Sequence, residues 1–268
     1  MASRRGLGYL IPMTPESGHD WRSLGAEWRL AVGFFTRIPL RPDAELGPAG
    51  LARAAWAFPL VGVLVGVAGG IAFTVTDRLG LPIMAMALIA VLATVLLTGG
   101  LHEDGLADTV DGLGGGSSRE DVLAIMRDSR IGAFGVLALF FSVGLRVASL
   151  AAIPDARSAV NALVAAHALS RGLLPMAMLW LDPARSDGLG ADAGRPTPPT
   201  TTAALIIAIA VAMVALGSSR GLATFALVAV TMGIMAILAR RRIGGYTGDT
   251  LGATQQIGEI MALLVASQ

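Results

Sequence analysis

Four acidic side chains fall within nine residues near the middle of the chain, directly after a long apolar stretch. They are Glu103, Asp104, Asp108 and Asp111, in the segment HEDGLADTVDG at residues 102–112. On a helix that turns about 100° per residue, the three aspartates share one narrow face. Stacked like charges destabilise a helix unless a positive group neutralises them. We interpret them as ligands of Mg²⁺, which binds one or two carboxylates together with substrate phosphates; a solvated acidic helix start is the alternative.

A second polar segment, MRDSRIG at residues 126–132, also suits phosphate chemistry. Asp128 stands between Arg127 and Arg130. Two guanidinium groups can form a phosphate clamp, and Asp128 would then be a further metal ligand or substrate contact. The alternative is a surface ion-pair patch, which contributes little to stability.

A glycine-rich turn, GGYTGDTLGA at residues 244–253, leads into the last predicted helix. Free backbone N–H groups at a helix start form a phosphate cradle, so Gly248 and Asp249 are predicted to bind substrate. Asp249 either completes the metal site or caps the helix, and the sequence leaves both roles open.

The composition indicates that these segments belong to a membrane protein. Hydrophobic residues make up 54% of the 268 residues, and the mean hydropathy is +0.68. Only helices or closed barrels satisfy the backbone in lipid, and several windows reach the roughly 20 apolar residues of a spanning helix. We predict an all-α, polytopic membrane bundle with about six to seven transmembrane helices. The net charge of +1 indicates no nucleic-acid partner, and the chain has no cysteine for a thiolate metal site.

The predicted organisation is a polar N-terminal extension, residues 1–27, partly disordered, followed by one membrane catalytic domain, residues 28–268. Residues 29–41 are too short to span and look interfacial or re-entrant, with Arg37 among them. The predicted spans are residues 56–76, 82–100, 132–153, 160–181, 202–216 and 222–239, and the apolar end of residues 250–266 is short for a seventh. The first span carries Gly62, Gly66 and Gly70 at a spacing that lets another helix approach closely. The sequence does not say whether that helix belongs to the same chain or to a second copy, so a homo-oligomer stays open.

Arginine placement orients the spans. With residues 1–55, 101–131, 182–200 and 240–249 on one side, the other side carries only Arg78, Arg157 and Arg220. The positive-inside rule makes the arginine-rich side cytoplasmic. The acidic segment and the segments at 126–132 and 244–253 are therefore predicted to converge at the cytoplasmic face. Arg146 and Arg171 fall inside spans, where ionisable groups face the bundle interior, and Glu259 is a candidate partner for one of them.

Six motifs follow one another along residues 28–268. They are FFTRIP at 34–39, FPLVG at 58–62, TGGLHEDGLADTVDG at 98–112, MRDSRIGAFG at 126–135, SRG at 170–172 and TGDTLGA at 247–253. In these motifs and their order, the chain resembles the cobalamin synthase family, the adenosylcobinamide-GDP ribazoletransferases. Family members vary at position 103, which weakens the case for Glu103.

The resemblance implies a Mg²⁺-dependent, multi-pass enzyme of the bacterial cytoplasmic (inner) membrane, with its active site facing the cytoplasm. It would join adenosylcobinamide-GDP to α-ribazole, or to α-ribazole 5′-phosphate, and release GMP. Asp104, Asp108 and Asp111 would be metal ligands, with Asp128 and Asp249 as secondary candidates. Arg37, Arg127 and Arg130 would contact phosphate. His102, Glu103 or a metal-bound carboxylate would accept the hydroxyl proton, and the sequence does not choose among them.

Three other functions fit the sequence less well. A CDP-alcohol phosphotransferase needs Ala-Arg shortly after Asp-Gly, whereas Asp104-Gly105 is followed by Leu106-Ala107-Asp108. A divalent-cation transporter predicts acids near mid-membrane and two related halves, but these acids sit at a span exit and no repeat is visible. A purely structural subunit leaves the aligned carboxylates unexplained.

Overall fold

The computed structural model describes residues 21–40 and 49–268, and the regular structure within those ranges is helical. It contains one isolated bridge, between Pro183 and Tyr246, and no strand in the described part of the chain. The prediction of an all-α fold is confirmed. Most of the predicted N-terminal extension lies outside the described residues, and its boundary after residue 27 falls inside the first helix.

Thirteen α-helices and one 3-10 turn make up the described chain. They are α1 (Trp21–Phe35), α2 (Gly50–Arg53), the 3-10 turn (Ala54–Ala57), α3 (Phe58–Arg78), α4 (Ile83–Thr98), α5 (Leu101–Gly115), α6 (Arg119–Ile125), α7 (Ala133–Ala151), α8 (Ala156–Gly172), α9 (Leu174–Trp180), α10 (Leu189–Asp192), α11 (Pro198–Leu216), α12 (Ser218–Ile243) and α13 (Gly248–Ala266).

Five stretches of the described chain are long and apolar enough to cross a membrane. They are Gly50–Arg78, Ala133–Ala151, Ala156–Trp180, Pro198–Leu216 and Ser218–Ile243, and the bent pair of α4 and α5 makes up to six. Large apolar side chains are exposed on α3, α4, α7, α11 and α12, as a lipid-facing surface requires. The polytopic bundle is confirmed with five to six spans. Helix α13 is not a seventh, because it carries Asp249, Gln255, Gln256 and Glu259 and is largely buried among other helices.

A sharp corner separates α4 from α5. The two helix axes differ by 91°, and the corner residues Gly99 and Gly100 have φ values of 67° and 71°, a region that side-chain-bearing residues rarely adopt. If α4 runs along the membrane normal, α5 runs along the membrane surface. The corner therefore turns the acidic segment out of the spanning direction.

The glycines of α3 bring it against α8 of the same chain. A Cβ on Gly66 would lie 2.6 Å from the Cα of Val164, and one on Gly70 would lie 2.8 Å from Val160 Cγ2. The predicted small-residue seam is thus an intramolecular contact. Helix α13 packs against α5, α7, α8 and α12, so the acidic helix α5 rests on a helix at the centre of the bundle.

We predict that Gly66→Ala destabilises the bundle, because the added methyl group meets backbone atoms that cannot move aside. Overpacking of this kind costs about 1–3 kcal/mol of unfolding free energy. The matched control is Gly144→Ala on α7, where a Cβ would have no neighbour within 4 Å. Thermal unfolding in detergent gives the melting temperature of each variant. Equal melting temperatures for the two would contradict the close packing of α3 against α8.

Candidate active site

Asp104 and Asp108 line one polar cavity at the corner of α4 and α5. They are one helical turn apart on α5, and Asp104 is exposed while Asp108 is half-buried. The cavity has a volume of about 580 Å³, and its wall also includes Thr36, Arg37 and Ser129. The structure therefore brings two of the three predicted aspartates and one predicted phosphate-binding arginine to the same space.

Negative charge accumulates around Asp108. Burial, followed by the neighbouring carboxylates of Asp104, Asp249 and Asp111, raises the pKa of Asp108 to about 6. No ion pair within residues 21–40 and 49–268 involves Asp104 or Asp108. The protein thus holds Asp104 and Asp108 near further carboxylates without pairing either of them with a cationic side chain of the described residues, and a bound cation would relieve that repulsion.

Asp249 approaches this cluster from the start of α13. Thr247 and Thr250 form a capping box there, so these two threonines cap the helix. Gly105 of α5 lies so close that a Cβ on it would be 2.8 Å from the Asp249 carbonyl oxygen. The Asp249 carboxylate accepts a hydrogen bond from Arg185 Nη2 at 3.1 Å. Burial raises the pKa of Asp249, and Arg185 opposes that shift.

Gly248 and Asp249 belong to a second cavity, which is mostly apolar. It has a volume of about 310 Å³, and Asp104 lines it together with Arg185, Gly248 and Asp249. Asp104 is thus common to the walls of both cavities.

Asp111 has a different environment from Asp104 and Asp108. Its two carboxylate oxygens accept hydrogen bonds from the backbone N–H groups of Gly132, at 2.7 Å, and Gly135, at 2.8 Å. Gly132 is the N-cap residue of α7 and has no side chain to satisfy these donors. Asp111 is buried, and in this structure it serves as the cap of α7.

The two candidate proton acceptors also lie away from the polar cavity. His102 is buried, and its ring stacks on Phe35 with centroids 5.6 Å apart. Glu103 forms an ion pair at 3.0 Å with Arg146 and accepts a hydrogen bond from Gln256. The pairing with Arg146 gives Glu103 a structural role in the bundle.

Glu103 belongs to a buried polar network beneath the site. Arg146 Nη1 is also 3.2 Å from Glu259 Oε1, so the predicted partnership of Glu259 with a buried arginine is confirmed. Arg171 Nη1 donates to His167 Nδ1 at 2.9 Å, and Gln255 Nε2 donates to Glu259 Oε2 at 2.8 Å. Two arginines balance two glutamates, as buried charges require. The network joins α5, α7, α8 and α13.

The segment at 126–132 reaches the polar cavity through Ser129 and Ile131. Arg127 instead pairs with Asp187 at 2.7 Å, and Arg130 pairs with Asp128 at 2.6 Å. Hydrogen bonds from Arg130 lower the pKa of Asp128 to about 2. The structure therefore does not bring Arg127, Asp128 or Arg130 to either cavity wall, because each is held in an exposed ion pair.

The carboxylates fit a magnesium ion that also binds substrate. In the described part of the chain, no three His, Asp or Glu side chains are grouped as a ready metal site. Mg²⁺ does not require three, since it usually takes one or two carboxylates, several waters and substrate phosphates. Asp104 and Asp108 line an open cavity and form no ion pair within the described residues, so their carboxylates are of the kind that such an ion binds.

Sequence reasoning missed Arg185 as a site residue. It lies in the loop between α9 and α10, and a backbone bridge holds this loop to the turn before α13, where Ala184 N donates to Tyr246 O at 2.8 Å. Arg119 ties the same two segments by donating to Ala184 O and Ile243 O. No motif around residue 185 signals this placement, because it depends on contacts between distant segments.

We predict that Glu259→Gln destabilises the protein by about 3–5 kcal/mol, because it leaves excess positive charge in a buried network. The control is Glu120→Gln on α6, whose side chain is 76% exposed and pairs only with Arg119, a kind of pair worth about 0–1 kcal/mol. Denaturant titration in detergent compares the two. Equal stability of both variants would contradict the claim that Glu259 balances the positive charge of the buried arginines.

We also predict that Asp111→Asn lowers the unfolding free energy by about 0.5–2 kcal/mol, as loss of a helix cap does, since an amide has one acceptor oxygen for two N–H donors. The loss should be the same with and without Mg²⁺. If Asp111→Asn destabilises the protein only when Mg²⁺ is present, the residue is a metal ligand and not a cap.

Comparison with known proteins places the chain among its relatives. The family model for cobalamin-5-phosphate synthase matches residues 27–267. An adenosylcobinamide-GDP ribazoletransferase of Bradyrhizobium diazoefficiens is 47% identical over 92% of this chain and 95% of its own. The enzyme of the same name from Mesorhizobium japonicum is 48% identical over 89% of this chain and 91% of its own. No solved structure matches the fold. The chain belongs to the cobalamin-5-phosphate synthase family.

Proposed function

We propose that the protein is an adenosylcobinamide-GDP ribazoletransferase that uses Mg²⁺. It joins adenosylcobinamide-GDP to α-ribazole, or to its 5′-phosphate, and releases GMP. The observation that carries this proposal is the pair Asp104 and Asp108, unneutralised and lining one cavity with Arg37. The family and the names of the relatives supply the reaction, and the cavity supplies a place for its diphosphate.

The chemistry replaces the phosphoanhydride bond of the diphosphate by a new phosphate ester bond to ribose. The oxygen of a ribazole ribose hydroxyl bonds to the phosphorus next to cobinamide, the bond from that phosphorus to the bridging oxygen breaks, and GMP leaves with the bridging oxygen. The hydroxyl proton is released. Mg²⁺ held by Asp104 and Asp108 would neutralise phosphate charge and lower the barrier to departure of GMP.

The chain's own residues bind and orient the diphosphate. Arg37 lines the polar cavity beside the two aspartates, and Arg185 borders the adjoining one. Arginine offers a fixed set of donors that matches phosphate oxygens. Asp249 holds Arg185 through its 3.1 Å ion pair and so fixes the guanidinium at the wall of the adjoining cavity. The negative charge that develops on the leaving phosphate is then stabilised by guanidinium groups that are already in position.

The location of the site fits a membrane enzyme with soluble substrates. The acidic helix, the loop that carries Arg185 and the turn before α13 meet at one end of the spans. Arginine distribution favours the cytoplasmic side for this end. We propose the bacterial cytoplasmic membrane, with substrates entering from the cytoplasm.

The test is GMP release by the purified protein in liposomes, supplied with adenosylcobinamide-GDP, α-ribazole and Mg²⁺. We expect Asp104→Asn and Asp108→Asn each to lower turnover on the order of 100-fold or more, as loss of an electrostatic stabiliser does, without loss of fold. Glu120→Gln is the control and should keep wild-type turnover. Product formation that persists in EDTA would reject the metal, and wild-type turnover in either aspartate variant would remove that residue from the site.

A further inference from the structure

Arg185 is the arginine on the wall of the apolar cavity beside the aspartates, and the rest of that wall has no role in holding the diphosphate. The cavity has a volume of about 310 Å³, and it lies between α1, α3, α5, α9 and the start of α13. Aromatic and aliphatic side chains form most of its wall, namely Phe34, Phe35, Phe58, Leu174, Met178 and Leu251. Polar side chains occur at His102, Asp104, Arg185 and Asp249. A largely apolar pocket with a few convergent polar groups is the usual form of a small-molecule site.

Size and polarity distinguish among the parts of the two substrates. The corrin ring system is too large for this cavity, which leaves the two aromatic bases, guanine and the dimethylated benzimidazole of ribazole. Guanine carries several donors and acceptors around its whole edge, and leaving those that face the apolar part of the wall without partners is costly. The benzimidazole base has methyl groups and no N–H donor once it is joined to ribose. The apolar wall therefore favours benzimidazole.

We propose that this cavity is the α-ribazole site, an inference that rests on the proposed function. Phe35 and His102 already form a stacked aromatic pair in its wall, with an 8° angle between the ring planes. Two polar atoms of its lining residues, His102 Nε2 and Arg185 Nη1, are buried and have no hydrogen-bond partner.

The arrangement explains how two different substrates meet. Asp104 lies on the wall of both cavities, together with Phe34 and Leu101. With the base in the apolar cavity, the ribose extends toward Asp104, and the diphosphate in the polar cavity lies on the other side of the same residue. The nucleophile and the phosphorus therefore approach each other at Asp104, each from its own pocket, and orientation of this kind contributes much of the catalytic effect.

The experiment fills each cavity separately. Ala193→Phe enlarges a buried residue that lines only the apolar cavity, and Leu139→Trp enlarges one that lines only the polar cavity. Overfilling should weaken binding about tenfold or more. We expect Ala193→Phe to raise the KM for α-ribazole and leave that for adenosylcobinamide-GDP unchanged, and Leu139→Trp to do the reverse. The opposite pattern, or equal effects on both substrates, would overturn the proposal.

Two measurements do not depend on turnover or on the folding of a variant. In equilibrium dialysis, α-ribazole should bind the wild-type protein without Mg²⁺, and free dimethylbenzimidazole should displace it while guanosine does not. Displacement of α-ribazole by guanosine alone would overturn the assignment. A wild-type protein that binds α-ribazole in this way but releases no GMP refutes the proposed function and leaves the pocket in place. A protein that releases GMP but shows the wrong competition refutes the pocket alone.

Discussion

The central constraint is negative charge that the protein gathers and does not neutralise. Below the site, Glu103 and Glu259 share the buried guanidinium of Arg146. On the same helix as Glu103, Asp104 and Asp108 form no ion pair within the described residues, and the pKa of Asp108 rises to about 6. The same helix thus carries both kinds of acid. Paired acids hold the bundle together, and the unpaired acids leave negative charge that the proposed magnesium ion would neutralise.

Several elements serve to keep these aspartates in place. The glycine corner turns α5 by 91° relative to α4, so the acids leave the apolar spans. Asp111 then fixes the far end of α5 to the start of α7 through two backbone N–H groups. Helix α13 supports α5 from the bundle centre, and Asp249 at its start holds Arg185. A cluster of like charges is tolerated here because neutral and paired contacts surround it.

The sequence alone predicted the features that follow a regular pattern of apolar or acidic residues along a helix. The apolar windows predicted the spans, and the four-residue spacing of Asp104 and Asp108 predicted their common face. Asp111 has the right period too, but its backbone partners at Gly132 and Gly135 come from another segment, and no helical pattern reveals them. Arg185 and the apolar cavity depend on how α1, α9 and the loop before α10 pack against α5. Arg127 and Arg130 show the opposite case, since a motif suggested phosphate contact and the folded chain pairs them with Asp187 and Asp128.

The most direct test of the central claim is a titration of the detergent-solubilised protein with Mn²⁺, which substitutes for Mg²⁺ and is followed by electron paramagnetic resonance. Because only one or two carboxylates would bind the ion, we expect weak binding to the free protein and much tighter binding when adenosylcobinamide-GDP is present. The double variant Asp104→Asn/Asp108→Asn should lose the substrate-dependent binding. If the double variant binds Mn²⁺ with substrate as tightly as the wild type does, the unneutralised aspartates are not the metal site.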